Sequence, residues 1–347
     1  MKKSLLALAV LGTIAGAAQA QSSVTLSGAV DLGIRRVGTA TGHDWNMGTA
    51  GSSRSNFTLS GTEDLGGGMR AMFLLNHRFS PNSGAVNVAG NCVATVPPAA
   101  PAVNCPVTTQ TYFWRNSWVG LAGAFGDVRL GRILAPLQDL NGSFDPWGGG
   151  DTVGSTHTGG INATVRTTNT IYYRTPSMGG LQGHAMIAAG EGQIPAEQGG
   201  LRGKPYNAER PMGFGVVYAA GPLRAAAMYD VNSADQKTIG LYGSYNAGFA
   251  TLMGQYEKGD KNISDASTAN VEVDRWSLAA TMPFGAAVAK IGYTSWSDEN
   301  IKKFGLGLDY NLSKRTTLYT NMGKVSGNGA TTAAKKAAFD VGIWHRF

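Results

Sequence analysis

The sequence is poor in charge, cysteine and proline. Of its 347 residues, 15% are charged, 13 are proline and two are cysteine, whereas a typical protein carries about 25% charged residues. Beyond the amino-terminal segment it has no apolar run of about 18 residues, which excludes a helical membrane protein. A disordered chain is excluded too, because 43% of the residues are hydrophobic. These absences leave an ordered protein built largely of β-structure.

The sequence also lacks the strong catalytic motifs. No H-E-x-x-H, G-x-S-x-G, P-loop or C-x-x-C pattern occurs, and the five histidines are scattered. Two cysteines without clustered histidines do not make a zinc site. We therefore predict no catalytic residues, no metal, no cofactor and no enzyme activity. The net charge of +7 comes without a nucleic-acid recognition motif, so it indicates anionic lipid headgroups or anionic solutes as partners and no nucleic acid.

What the sequence has instead is glycine, 49 residues of it, and alternation of apolar with polar or small side chains. The alternating stretches are about 10 residues long, close to the 9–11 needed for a tilted strand to cross a bilayer. A soluble sandwich also alternates, but its strands are typically only about 5–6 residues long. In the stretch from Val24 to Arg35, one face carries Val24, Leu26, Gly28, Val30, Leu32 and Ile34.

The amino terminus reads as an export signal. Lys2 and Lys3 precede an apolar core, Leu5 to Ala17, and an Ala18-Gln19-Ala20 cleavage pattern. An anchor helix is the alternative, although the apolar core is short for one. We expect residues 1–20 to be removed, which lowers the net charge from +7 to about +5. Residues 21–347 show no linker or composition break and are predicted to form a single domain.

The remaining length suits about 16 strands joined by short turns and some long loops. The segment Phe339 to Phe347 alternates and ends on an aromatic residue, as expected of a strand that closes a barrel against the first strand. Aromatic residues near proposed strand ends are predicted to form membrane-interface girdles. They include Trp118, Tyr172, Tyr173, Tyr293, Trp296, Tyr310, Tyr319, Trp344 and Phe347. The predicted fold class is all-β, a transmembrane antiparallel β-barrel.

Over essentially its whole length, the sequence resembles the general porins of the outer membrane, specifically the beta-proteobacterial class. The matching segments are Ser23–Gly28, Gly61–Gly68, Trp118–Leu121, Phe125–Arg132, Asn169–Tyr173, Leu312–Tyr319 and the terminal Phe347. The resemblance implies a homotrimer of 16-stranded barrels, each with a long third loop folded inward, in the outer membrane of a Gram-negative bacterium. It also implies contact with outer-membrane lipids and lipopolysaccharide, and reading of Phe347 by the outer-membrane assembly machinery.

Three arginines match positions that line the pore constriction in that family: Arg54, Arg115 and Arg166. Alternation independently puts Arg54 and Arg166 on the polar face. The residues at every second position from Arg115 include both polar and apolar ones, so alternation does not assign its face. We place it inward because an arginine facing lipid near the midplane would cost about 2–4 kcal/mol. Four further arginines read as polar-face residues that fit either the lumen or a solvated rim. These are Arg35, Arg70, Arg78 and Arg174.

The inward-folding loop is expected within Ile133 to Ile161, where Pro and Gly hold the chain away from strand geometry. Its carboxylates Asp139 and Asp145 either face the arginines across the pore or cap turns in an ordinary loop. With three matched arginines, we predict a passive channel for ions and small hydrophilic solutes that favours small anionic or polar ones. A substrate-specific channel, an adhesin and a barrel enzyme stay open as alternatives, and the sequence does not determine the preferred solute or the pore diameter.

The two cysteines lie in the long loop from Ser80 to Gln110. Cys92 and Cys105 are 13 residues apart, so a local disulfide is expected in an oxidising compartment, with partner contact as the alternative. Such a disulfide would contribute about 3 kcal/mol in the chain-entropy model.

Overall fold

A computed structural model describes most of the chain. The described residues are 22–49, 51–86, 113, 115–149, 153–156, 161, 166–189, 210–232, 235–262, 270–298, 300–332 and 334–347. The expected signal segment and both cysteines lie outside them. Within the described ranges, no helix is long and apolar enough to cross a membrane.

Strands dominate the described residues, and the strand pairings among them are antiparallel. In chain order they are β1 (Ser23–Gly38), β2 (His43–Gly48), β3 (Asn56–Gly66), β4 (Met69–Ser80), β5 (Ala85–Val86), β6 (Ser117–Gly123), β7 (Gly126–Leu134), β8 (Arg166–Arg174), β9 (Leu181–Ala188), β10 (Met212–Ala220), β11 (Leu223–Val231), β12 (Lys237–Asn246), β13 (Thr251–Asn262), β14 (Asn270–Phe284), β15 (Ala287–Trp296), β16 (Ile301–Asn311), β17 (Thr316–Ser326) and β18 (Ala338–Arg346). One short helix, α1 (Pro136–Asn141), and a 3-10 turn, Gly142–Phe144, follow β7.

The sheet closes on itself at β1. One edge of β1 pairs with β18, with Ala29 opposite Arg346 and Arg36 opposite Phe339. Its other edge pairs with β3 near the chain start and with β2 near the strand end. Because β2 and β3 share one position and β5 is a two-residue addition to β4, the described strands form a ring of 16. The predicted antiparallel barrel is therefore confirmed, and closure leaves its ring without a free edge.

The alternation separates two faces, as the sequence predicts. On β1, Val24 and Leu26 are 67% and 61% exposed on the outside, whereas the side chain of Asp31 is fully buried inside. On β12, Ile239 and Leu241 are half exposed, whereas Thr238 and Tyr242, on either side of this pair along the strand, are buried. An apolar outer belt and a polar interior are the arrangement that lipid requires of a barrel.

Five of the predicted girdle aromatics lie on the inward face instead. Two of them, Trp296 and Trp344, are directly opposite the buried Arg275 and Asp31 on neighbouring strands. Trp118 precedes the exposed Val119, so the alternation turns its ring to the interior. Tyr172 and Tyr319 are each only 2% exposed, and both hydroxyls donate or share hydrogen bonds with inward side chains. The girdle prediction was wrong for these residues because nearness to a strand end does not fix the face that a side chain takes.

The connection after β7 packs against the inside of the wall. Helix α1 contacts β10, β11 and β12, and the 3-10 turn contacts β12 and β13. Farther along, the backbone of residues 153–154 lies against Gly305 and Gly323 on the inward faces of β16 and β17. The described parts of this connection thus contact the inner wall in two places, at β10–β13 and at β16–β17.

Candidate functional site

Five arginines converge where β3, β4, β6, β7 and β8 end or begin, and we call them the constriction cluster. They are Arg54, Arg78, Arg115, Arg132 and Arg166. Arg115 interacts electrostatically with all four of the others, most strongly with Arg166. The structure therefore brings together the three arginines predicted from the resemblance, Arg54, Arg115 and Arg166, and adds two more.

The alternation of the strand does not decide the direction of the Arg115 side chain. Strand β6 begins at Ser117, so Arg115 lies before the strand and its parity does not decide its direction. Burial, and then repulsion from the neighbouring arginines, lowers the pKa of Arg115. Burial and the nearby Arg35 likewise lower the pKa of Arg54, which lies in the break between β2 and β3. Each charge raises the free energy of its neighbours, so an anion entering the cluster stabilises it.

Arg132 was missed as a site residue, although it ends one of the matched segments. The register between β7 and β8 shifts between Gly131 and Ile133, which marks a β-bulge. Gly131 has a φ of 144°, and a side chain there would collide with the Ser117 carbonyl. A bulge re-aims the side chains beside it, and here it lets Arg132 join the cluster. A lone Gly before an Arg in a strand pattern is the signal that could have indicated it.

The remaining predicted arginines occupy different places. Arg35 on β1 lies 3.7 Å from Asp340 of β18 and near Arg54, at the edge of the cluster. Arg70 is exposed beside the Gly66–Gly68 turn, at the opposite end of β4 from Arg78. Arg174 lies beside the turn that follows β8, paired with Asp127 at 2.7 Å. Of these, Arg70 takes the rim position and does not join the cluster.

Helix α1 is anchored to the wall by buried polar contacts. The Asn141 amide donates to Glu257 Oε1 at 2.8 Å, and the Tyr242 hydroxyl donates to the same oxygen. Arg275 lies 2.5 Å from the other Glu257 oxygen. At the start of the helix, the Leu137 amide donates to the Asp230 carboxylate. Because buried polar groups are costly to leave unsatisfied, these contacts fix where α1 lies in the interior.

The far end of the connection is anchored differently. Trp147 Nε1 donates to Asn321 Oδ1 at 2.7 Å, and the Asn321 amide donates to Asp340 and to the Gly51 carbonyl. Asp31 in turn accepts hydrogen bonds from the backbone amides of Ser52 and Ser53. One hydrogen-bonded network thus joins the interior connection to the break between β2 and β3 that carries Arg54.

The two predicted loop carboxylates differ in surroundings. Asp145 is 4% exposed and accepts hydrogen bonds from the Gly149 amide and from the hydroxyls of Ser155 and Thr156. These contacts favour the capping alternative for Asp145. Asp139 on α1 is exposed to the interior and interacts electrostatically with four arginines. They are Arg129, Arg174, Arg166 and Arg224. Its position matches the alternative in which a loop carboxylate faces the arginines.

Phe347 closes the barrel through its backbone. Its amide and carbonyl exchange hydrogen bonds with those of Gly28 at 3.0 and 3.1 Å, whereas the residue stays 43% exposed.

This arrangement is a closed barrel with a connection packed against the inside of its wall and a cluster of arginines on its inner face. The sequence profile of the family described as Gram-negative porin matches residues 7–330. The chain belongs to the Gram-negative porin family. It is 34% identical to outer membrane porin protein 32 of Delftia acidovorans over 97% of this chain and 93% of that protein. An outer membrane porin of Bordetella pertussis is 30% identical over the full length of both chains.

Solved structures agree with this membership. An anion-selective porin from Comamonas acidovorans matches with a TM-score of 0.75 and 29% identity, covering 94% of this chain and all of that one. OmpT of Vibrio cholerae matches at a TM-score of 0.64 with 13% identity, which shows the fold alone. As a porin of this family, the protein is a passive diffusion channel of the Gram-negative outer membrane, and the family is one of channels rather than enzymes.

Proposed function

We propose that this porin favours anions, and that the constriction cluster is the reason. The observation that carries the proposal is the convergence of four arginines on Arg115. A passive channel selects by the charges at its narrowest point, and crowded guanidinium groups attract anions and repel cations. The similar porin from Comamonas acidovorans is described as anion-selective, which supports the same preference here.

The interior connection contributes one carboxylate at a defined place in the interior rather than a large negative charge. Asp139 is the exposed carboxylate on α1 that interacts with Arg166 of the cluster. One carboxylate against five arginines leaves a net positive constriction with a transverse field. Such a field orients dipolar solutes, so we propose that small anionic and polar solutes pass with preference over apolar ones.

The test is the reversal potential of the purified porin in planar bilayers under a KCl gradient. Wild type should favour chloride. The triple variant R54Q/R115Q/R166Q should lose most of this preference, because each charge contributes on the order of 1 kcal/mol at contact distance in water, roughly a fivefold effect. The matched control R70Q removes an arginine at the exposed rim and should keep the wild-type value. A wild-type reversal potential that favours potassium would overturn the proposal.

The same recordings address alternatives and assembly. Conductance that saturates with one solute would indicate a substrate-specific channel instead. We also propose that the porin is a homotrimer in contact with outer-membrane lipids and lipopolysaccharide. Conductance steps grouped in threes would support the trimer. We further propose that residues 1–20 are removed as a signal and that the assembly machinery recognises Phe347.

A further inference from the structure

A second basic group lies inside the barrel, between the constriction cluster and the end that carries the Gly66–Gly68 turn, which we call the short-turn end. We call Arg129 of β7 and Arg174 of β8 the lower arginine pair. Arg129 precedes Arg132 of the cluster by three residues, about 10 Å along a strand at roughly 3.3 Å per residue. Arg174 lies at the end of β8 that is opposite to Arg166. An anion that passes the cluster therefore meets this pair next.

One carboxylate aligns both guanidinium groups of the lower arginine pair. Arg129 Nε donates to Asp127 Oδ1 at 2.8 Å. Arg174 Nε and Nη2 both reach Asp127 Oδ2, at 2.8 and 2.7 Å. Since a guanidinium is planar and carries five donors, these contacts fix the planes and leave further N–H groups of each arginine outside the Asp127 contact. The two side chains are 19% and 30% exposed, so the interior reaches them.

Aromatic packing holds Arg129 in the same orientation. Its guanidinium lies 4.6 Å from the ring centre of Trp118 and 5.9 Å from that of Tyr172. The Tyr172 hydroxyl is fixed in turn by His184 Nδ1 at 2.7 Å. Cation–π stacking leaves the edge of a guanidinium available for hydrogen bonding. Arg129 is therefore held both by Asp127 and by the aromatic rings, whereas Arg174 is held by Asp127.

The local charge is positive despite Asp127. Arg224 lies at the same end of the barrel. Three arginines, Arg129, Arg174 and Arg224, against the two carboxylates of Asp127 and Asp139 leave one net positive charge. Arg224 lies 4.9 Å from the ring centre of Phe144, directed at the connection that carries α1. Asp139 interacts with all three of these arginines, so it lies between the two basic groups.

We infer that the lower arginine pair is a binding station for carboxylate solutes, separate from the constriction cluster. The inference rests on the proposed anion preference and deepens it. Guanidinium donors held in place match a planar carboxylate in a bidentate manner, whereas a spherical chloride gains only from charge. A small dicarboxylate, released by the cluster, is held briefly at the pair before it leaves through the short-turn end.

The experiment uses succinate as the probe. Chloride current through single porins is recorded in planar bilayers while succinate is added on the short-turn side, and the concentration that halves the current is measured. Wild type should be inhibited, and R129Q and R174Q should each need about fivefold more succinate or higher, because charge-assisted bidentate hydrogen bonds are lost. The control R70Q should behave as wild type, and open-channel conductance shows that each variant has folded.

D127N separates alignment from charge. This variant adds one net positive charge but removes the carboxylate that orients both arginines. If the arginine pair acts only through its charge, D127N should be inhibited more strongly by succinate. If the pair binds succinate through aligned donors, D127N should be inhibited more weakly. Unchanged inhibition in R129Q and R174Q, or stronger inhibition in D127N, overturns the station. The KCl reversal potential of wild type, measured in the same bilayers, tests the anion preference independently of these outcomes.

Discussion

At the scale of single residues, the interior is decided by which carboxylates are engaged in structural contacts and which face the arginines. Asp31 binds backbone amides of the break between β2 and β3, and Asp145 binds the interior connection itself. Asp139 instead faces Arg129 and Arg166, among other arginines. The three aspartates thus take two different roles, depending on the groups that surround them.

The first prediction concerns Asp139 and pH. Enclosure by the barrel wall raises the pKa of Asp139, and the neighbouring arginines oppose this only in part. Acidification therefore neutralises Asp139 at a higher pH than it would a free aspartate, so the chloride preference should increase as the pH falls through this range. The measurement is the KCl reversal potential between pH 7 and pH 4.

The variant D139N should show the higher chloride preference already at pH 7 and should lose this part of the pH dependence. E63Q is a suitable control, since Glu63 is exposed near the Gly66–Gly68 turn. A D139N reversal potential equal to that of wild type at pH 7 would show that Asp139 does not act on the permeating ions.

At the scale of elements, the interior connection fits against β16 and β17 because the wall carries glycine, without a side chain, at the points of contact. A methyl group on Gly305 would lie 1.9 Å from the Gly154 carbonyl oxygen, and one on Gly323 would lie 1.8 Å from the Val153 oxygen. These are backbone atoms, so the loop as a whole must shift to admit a side chain. Part of the high glycine content is thereby explained by a close approach between two pieces of backbone.

The second prediction follows from this contact. G323A should displace the connection, change the single-channel conductance and raise the open-channel noise, and overpacking should destabilise the barrel by about 1–3 kcal/mol. G243A is the matched control, because a methyl group on Gly243 of β12 meets nothing within 4 Å. Conductance and thermal unfolding of both variants test the prediction, and equal behaviour of G323A and G243A would contradict it.

At the scale of the whole molecule, the fold depends on closure between the first and last strands. β1 pairs with β18 over eight residues, from Ala29–Arg346 to Arg36–Phe339. The Phe347 backbone extends this pairing to Gly28. The residue as a whole is 43% exposed on the barrel.

The third prediction separates assembly from stability at this residue. F347A keeps both backbone hydrogen bonds, so the refolded barrel should unfold within about 1 kcal/mol of wild type and conduct normally. If the side chain is an assembly signal, the amount of F347A in the outer membrane of cells should fall severalfold. Normal amounts in cells would argue against that role, whereas a large loss of stability after refolding would give the side chain a structural one.

Much of this molecule could be predicted from its sequence, because alternation is a local property. The strand pattern, the outward Val24 and Leu26, and the inward Arg166 all follow from a period of two once a bilayer is assumed. The ring of 16 strands and the passive channel function are confirmed. The pattern fails where the chain leaves the strand, as at Arg115 before β6, or where a bulge intervenes, as at Arg132.

The barrel and the residue types of its interior follow from the amino-acid sequence alone, because each strand must show one face to lipid and one to water. Which charges meet depends on the folded chain. Arg54 and Arg166 are 112 residues apart along the chain, and only the closed sheet with its interior connection places them together around Arg115. The fold also decides which carboxylates cap the loop and which one faces the arginines, since that choice depends on distances that no local pattern encodes.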